Sequence, residues 1–297
     1  MYNTAIKEVK VLNGSYKKTR YVMGKGVSIS HTWGESAEKS TLSYSHYTKD
    51  CMFYYFIKGK GSIKVEGRNY DIEEGDIILV NPSELFMCEI YGNAFHERLV
   101  LRVNHAILDN FLQDGASLIS PFYNREKGNG NHIPCRIVES SGIKNHMEEI
   151  FMHAKSSQPS ENILAVCKTI ELLSDFSKLK FFDAKTDNTS GNPLIDNVLT
   201  YLNEHFRENM TIEYVASLFH IEKSYLSHLF KEHVGIPLWN YVICKRLNYF
   251  NDIICQNQSI DEAYVLAGFQ NYSNFFRLYK KYMNMTPSEF KRQNDKL

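Results

Sequence analysis

The strongest constraint on the fold is an internal repeat near the C-terminus. TIEYVASLFHIEKSYLSHLFKEHVGIP, beginning at Thr211, is echoed by SIDEAYVLAGFQNYSNFFRLYKKYMNMTP, beginning at Ser259. Ile212 and Ile260 correspond at a spacing of about 48. Leu226 with Phe275, Phe230 with Tyr279, Lys231 with Lys280 and Tyr241 with Phe290 follow at about 49. Each copy reads as a short helix, a tight turn and a second helix. In the first, Thr211 is an N-cap and Ile212, Val215, Ala216 and Phe219 form an apolar face. Ala216 matters because two helices that cross steeply need a small side chain at the contact.

The second helix of the first copy is expected over Lys223–His233, with Tyr225, Leu226, Leu229 and Phe230 inward. That leaves Lys223, Ser224, Ser227, His228 and Lys231 outward, side chains able to reach phosphates or base edges in a major groove. In the second copy Gly268 sits in the turn and Ser273 begins the helix. Phe275, Phe276 and Tyr279 are its apolar residues, and Asn271, Asn274, Arg277, Lys280 and Lys281 its outward polar set. The net charge of zero argues against a nucleic-acid binder as a whole. Locally the second copy is cationic, while Glu222 and Glu232 offset Lys223 and Lys231 in the first. Between the copies PLWNYVICKRLNYFNDIICQNQ is helical over roughly 30 Å at 1.5 Å per residue. Successive major-groove faces on one side of B-DNA lie ~34 Å apart, so such a spacer lets both copies dock on one side. One such pattern alone would as readily be a plain αα-hairpin; two, joined by a helix, point to DNA.

The rest of the chain is different. From about Thr19 to Val103 short strand-like runs, among them FYYFI, SIKVE, YDI, IILV and RLVLRV, alternate with glycine turns. Helical periodicity takes over in Lys144–Lys155 and Glu161–Lys180, where Ile163, Val166, Cys167, Ile170, Leu173 and Phe176 share a face. DAKTDNTSGNP follows, polar and rich in turn formers. The expected architecture is α+β with two domains. Residues 1–182 form a β-barrel (about 19–105) with flanking helices (about 144–180), 183–193 a linker, and 194–297 an all-α domain.

Pro193 to Arg292 resembles the DNA-binding domain of AraC-type (AraC/XylS) transcription regulators, through "TIEYVASLF", "KSYLSHLFKEHVGIPLWNYV", "KRL", "AGFQNYSNFFRLYKKY" and "TPSEFKR". The resemblance implies that both second helices enter adjacent major grooves, with the outward residues above as contacts, Ser273 among them. This chain departs from the pattern at Tyr264, where the second unit usually has the small alanine, and at Ala263, where it has isoleucine. Glu222 stands for a serine N-cap, His228 for arginine and Asn284 for glycine. The N-terminal half resembles the cupin-like sensory domain that such regulators often carry. HYTKDCMFYYFIKG aligns with the cupin metal motif, but only His46 and Gly59 match; Thr48, Met52 and Met87 occupy the other ligand positions. Methionine suits neither a hard nor an imidazole site, so no metal, cofactor or catalytic residue is expected.

An aromatic-lined barrel can hold one small molecule, a sugar being one expectation, and Tyr44, His46, Tyr54, Phe56, His96 and Arg98 are the candidates. Alternation puts Tyr54 and Phe56 on one face of their strand without saying which face is inside. His46 serves as readily as a solvated residue, and Arg98 could pair with an anionic effector or with Glu97 or Glu89. Trp33 could stack on a sugar or fill the core. The helices after Lys144 could pair two chains, as AraC-type regulators commonly do, or pack on the barrel. Expected partners are double-stranded DNA, a small-molecule effector, a second copy and, for an activator, RNA polymerase. With no apolar segment at MYNTAIKEVK or elsewhere long enough for a signal or a bilayer span, a cytoplasmic chain that does not use a membrane is expected. A cupin-type enzyme, an effector-independent regulator and a protein-binding helical module are the alternatives.

Overall fold

A computed structural model of the chain describes residues 7–11, 14–24, 26–36, 40–45, 50–82, 84–91, 95–104, 118, 120–123, 125, 127–156, 158–179, 192–256, 258–283 and 285–294. Two compact units divide it, one drawn mainly from residues before Asn188 and the other mainly from Asn188–Leu297. The linker expected at 183–193 lies almost wholly outside the described residues.

The first unit contains β1 (Lys7–Val11), β2 (Gly14–Gly24), β3 (Val27–Ser36), β4 (Ser40–Ser45), β5 (Asp50–Lys58), β6 (Gly61–Val65), β7 (Arg68–Ile72), β8 (Ile77–Val80), β9 (Phe86–Ile90), β10 (Phe95–Asn104) and β11 (His132–Ile133). Its helices are α1 (Ser120–Tyr123), α2 (Cys135–Ser140), α3 (Ile143–Ala154) and α4 (Pro159–Ser177). The strands form two separate sheets, ordered β1-β2-β3-β10-β5-β8-β11 and β4-β9-β6-β7. This corrects the expected closed barrel: among the described residues no ladder joins the two sheets, so their union is by side-chain packing.

β5 explains why. Residues 51–56 are buried without interruption, as in a central strand covered on both faces. Met52, Tyr54 and Phe56 join Ile63, Val65, Phe86, Cys88 and Ile90 in the core between the sheets. Cys51, Phe53 and Tyr55 join Met147, Ile150, Leu172 and Phe176 in a second core, beneath α3 and α4. Phe176 anchors α4, its ring meeting Phe53 at 5.3 Å and Phe122 at 5.9 Å.

That anchor keeps most of the expected face on the core, with Leu173 and Phe176 buried and Val166 and Ile170 packed against it, but not Ile163 or Cys167. Ala165, Thr169, Leu172, Leu173 and Phe176 are buried, whereas Ile163 is 65% exposed and Cys167 is exposed. Thr169 tolerates burial because its hydroxyl donates to the Ala165 carbonyl at 2.8 Å. A polar staple holds the β8–β9 connection: the Arg125 guanidinium donates to both oxygens of buried Glu84 at 2.8 and 2.9 Å. The backbone N–H groups of Asn81 and Gly128 and the side-chain amide of Asn131 complete that carboxylate's shell.

The second unit is all helix: α5 (Pro193–His205), α6 (Ile212–Leu218), α7 (Lys223–Val234), α8 (Leu238–Cys255), α9 (Ile260–Leu266), α10 (Tyr272–Met283) and α11 (Pro287–Asn294). Asn192 caps α5, its side-chain oxygen accepting from the N–H of Leu194 at 3.0 Å, with Pro193 in the first turn. Helix α8 covers most of the expected spacer, 18 residues and about 27 Å long. It is also the core of the unit, with 241–248 buried throughout. Two of its polar residues find partners inside the unit. Arg246 donates to the carbonyls of Phe206 and Glu208, both at 2.7 Å, and Asn251 accepts from the Tyr279 hydroxyl at 2.6 Å.

Candidate nucleic-acid interface and effector face

The two repeats fold into two helix-turn-helix units, α6-turn-α7 and α9-turn-α10, flanking α8. Thr211 caps α6 by accepting from the Tyr214 N–H at 3.2 Å. Ser259 caps α9 the same way, accepting from the Glu262 N–H at 3.2 Å, while its hydroxyl donates to the Glu262 carboxylate at 2.8 Å. Both turns close alike. The N–H of Ile221 donates to the Ala216 carbonyl and that of Phe269 to the Tyr264 carbonyl, each at 3.1 Å, around a left-handed residue. That residue is His220 in one unit and Gly268 in the other.

The substitution pair Ala263–Tyr264 repacks the second unit without unseating it. Ala263 is fully buried and takes the close crossing, while Tyr264 stacks on Phe275 at 5.6 Å and 22°. Phe275 and Tyr279 are buried against Phe250 of α8, and Phe276 is half-buried. In α7, Leu226, Leu229 and Phe230 are buried, but Tyr225 is 54% exposed, against expectation. It precedes Leu226 by one residue, so it is turned about 100° from the apolar stripe.

The outward set is displayed. Lys223, Ser224, His228 and Lys231 on α7 are exposed and Ser227 is half-buried; Asn271, Ser273, Asn274, Arg277, Lys280 and Lys281 are exposed on and before α10. α10 begins one residue earlier than expected, at Tyr272, and Asn271 caps it by accepting from the Asn274 N–H at 3.0 Å. The electrostatics differ between the units. Lys223 is ion-paired with Glu213, whose carboxyl is held below its usual range by that hydrogen bond. His228 has Glu232 at 3.8 Å. Arg277 instead donates to the neutral Asn274 side chain at 3.0 Å, and Lys281 lies over the Tyr282 ring. Asn284 lies outside the described residues.

In the first unit, Tyr54 and Phe56 face the core between the sheets. Arg98 joins them, its guanidinium over the Tyr54 ring at 5.4 Å and one N–H donating to Cys88 Sγ at 3.1 Å. His96 is fully buried beside Phe56, ring to ring 5.7 Å, and burial, then the Arg98 charge, lowers its pKa to about 3. Tyr44 belongs to β4, and His46 lies outside the described residues. Glu97 points to the other side and meets His31 at 2.7 Å. Trp33 stacks on His31, which in turn abuts Phe151 of α3, so Trp33 sits on the helix-facing side of its sheet. Met52 and Met87 are buried. Among the described residues no three metal-ligating side chains converge.

Sequence reasoning missed three further cations. Lys18 and Arg20 on β2 and Arg102 on β10 share the Arg98 side of their sheet. Their two-residue spacing was the available signal, but such a pattern ordinarily marks a solvent-facing edge.

Residues 34–173 match the model of the AraC-like ligand binding domain, and 215–293 that of a helix-turn-helix domain. The HTH-type transcriptional regulator YdiP of Escherichia coli (strain K12) is 21% identical over 93% of this chain and 89% of its own length. The XylDLEGF operon transcriptional activator of Pseudomonas putida is 20% identical over 80% of this chain and 73% of its own. A solved structure from Listeria innocua, of unknown function, is 30% identical over 34% of this chain and 97% of its own, with a TM-score of 0.33.

Proposed function

This chain belongs to the AraC/XylS family of DNA-binding transcription regulators, and on that premise we propose how its parts divide the work. The all-α domain, 194–297, docks α7 and α10 in successive major grooves, and 1–182 binds an effector and pairs two chains. The observation that carries the reading is the pair of exposed polar faces on α7 and α10, held by one buried helix. Lys223, Ser224, Ser227, His228 and Lys231 contact DNA from the first unit. Asn271, Ser273, Asn274, Arg277, Lys280 and Lys281 do so from the second. With three cations not matched by a carboxylate on α10, the second unit supplies mostly phosphate grip and the first more of the base reading.

Pairing through α4 is supported by Ile163 and Leu164, 65% and 43% exposed on one turn. Ile163→Glu should then yield a monomer in sedimentation of the full chain, and an unchanged species would overturn the pairing. The protein works in the cytoplasm as a regulator rather than an enzyme; among the described residues no helix is long and apolar enough to cross a membrane. Activation of transcription is the mode that the P. putida relative's name supports, and an activator of this kind would contact RNA polymerase.

Footprinting on promoter DNA tests the whole reading. Two protected half-turns on one face per chain are expected, with affinity falling steeply as salt rises. Binding that ignores salt, or protection of a single groove, would refute it.

A further inference from the structure

We propose that the effector is an anion, a small molecule bearing carboxylate or phosphate groups, bound on the face of β2, β3 and β10 that carries Lys18, Arg20, Arg98 and Arg102. The inference rests on the effector-responsive reading above and specifies its chemistry.

The strand register assembles the site. Directly paired residues point to the same side of a sheet. Lys18 pairs with Thr32, Thr32 with Arg98, and Arg98 with Phe56. The next row on this side runs Arg20, Ser30, Val100, Tyr54, and the one after it Val22, Ser28, Arg102, Met52. Val100, Tyr54, Met52 and Phe56 belong to the core between the two sheets, so the cations face the second sheet rather than the helices. Neighbouring strands lie about 4.8 Å apart, which puts four cationic side chains on a patch about 10 Å wide. Arg20 is exposed and Lys18 half-buried, so the patch reaches solvent on its β2 side.

The patch is built of donors. Arg20 donates to Ser28 Oγ at 3.1 Å and Arg102 to Ser30 Oγ at 3.2 Å. Thr32, between Lys18 and Arg98, is 5% exposed, and among the described residues its hydroxyl has no hydrogen-bond partner. Among the described residues the carboxylate on this face is Asp50, at the far end of β5, where it accepts from Asn104 at 3.1 Å. The cations repel one another: burial, then the charges of Arg102, Arg98 and Arg20, lower the Lys18 pKa to about 8. Guanidinium and ammonium groups offer donors and no acceptor. A neutral polyol could use the few hydroxyl acceptors here, Ser28, Ser30 and Thr32, but would leave four cations uncompensated; an oxyanion needs donors and positive charge, which this face concentrates. The guanidinium fork matches carboxylate and phosphate oxygens alike.

Thermal unfolding of the full chain tests this, with citrate, inorganic pyrophosphate or glucose added at ionic strength matched by NaCl. At saturation one of the two anions should raise the midpoint by about 3 °C. Citrate alone assigns carboxylates, pyrophosphate alone phosphates. Arg20→Gln and Arg102→Gln should each weaken the response at least about tenfold, while Arg20→Gln keeps or raises the ligand-free midpoint because a repulsion is removed. Arg277→Ala should respond like the parent. Equal responses in parent and both Gln variants, loss of response in Arg277→Ala, or no response to either anion would overturn the proposal. A glucose response with both anions inert overturns the anion and leaves effector sensing standing. Anions that shift the midpoint through Arg20 and Arg102 without altering DNA affinity support the site and overturn the sensing role instead.

Discussion

At the turn of the first helix-turn-helix unit the left-handed residue is His220, at φ 54°; at the matching place in the second it is Gly268, at φ 88°. A side chain on Gly268 would put its Cβ 2.3 Å from the Arg207 carbonyl, so there glycine is required by packing as well as by backbone. Capping is unequal too. In the second unit Ser259, Asn271 and Thr286 satisfy the first turns of α9, α10 and α11, whereas Glu222 leaves α7 without a side-chain cap. Charge follows the same division: the first unit pairs Lys223 with Glu213, whereas α10 carries Arg277, Lys280 and Lys281 and no carboxylate of its own. One motif can thus be capped at both helices and cationic, or capped at one and electrically balanced, on a single shared helix.

The comparison can be broken most sharply at the turns. Gly268→Ala should cost about 3 kcal/mol in denaturant unfolding, from the clash and the left-handed backbone together. His220→Ala should change stability by less than about 1 kcal/mol, since one non-glycine replaces another. Equal losses would show that the turns are not distinct. Next in size, Arg277→Ala should weaken binding to all duplexes about tenfold and lower the salt slope by about 1. Lys223→Ala should weaken it less, because that ammonium is already paired, and gel-shift titrations over a salt series separate the two. His220→Gly should stabilise the chain by up to about 1 kcal/mol, measured as a raised denaturation midpoint. Smallest, Glu222→Ser should add about 0.5 kcal/mol by supplying the missing cap; a loss of stability would mean that Glu222 already serves through the helix dipole.

Much of the DNA-binding half was legible because its signals are local. Thr211 and Ser259 announce helix starts, Gly268 a turn, and the apolar spacing of Leu226, Leu229 and Phe230 an inward face. Tyr225 misled because an aromatic beside that stripe looks inward until the helix is turned against its neighbours. In α4 the apolar pattern placed Val166, Ile170, Leu173 and Phe176 on the core side, but it could not show that the core stops short of Ile163 and Cys167. The separate sheets were not legible either. Alternation within strands is the same in a closed barrel and in two stacked sheets, and only long-range pairing distinguishes them.

By itself the sequence determined the repeated helix-turn-helix pattern, its outward polar faces and the strand character of the first hundred or so residues. These follow from spacing along the chain, which local sterics and hydrogen bonding read directly. Only the tertiary structure decided which side of β5 meets the second sheet, since both sides are apolar and period two cannot choose between them. Likewise it alone brought Lys18, Arg20, Arg98 and Arg102 together. Their meeting depends on the register of β2, β3 and β10, between residues some eighty positions apart, which no local pattern encodes.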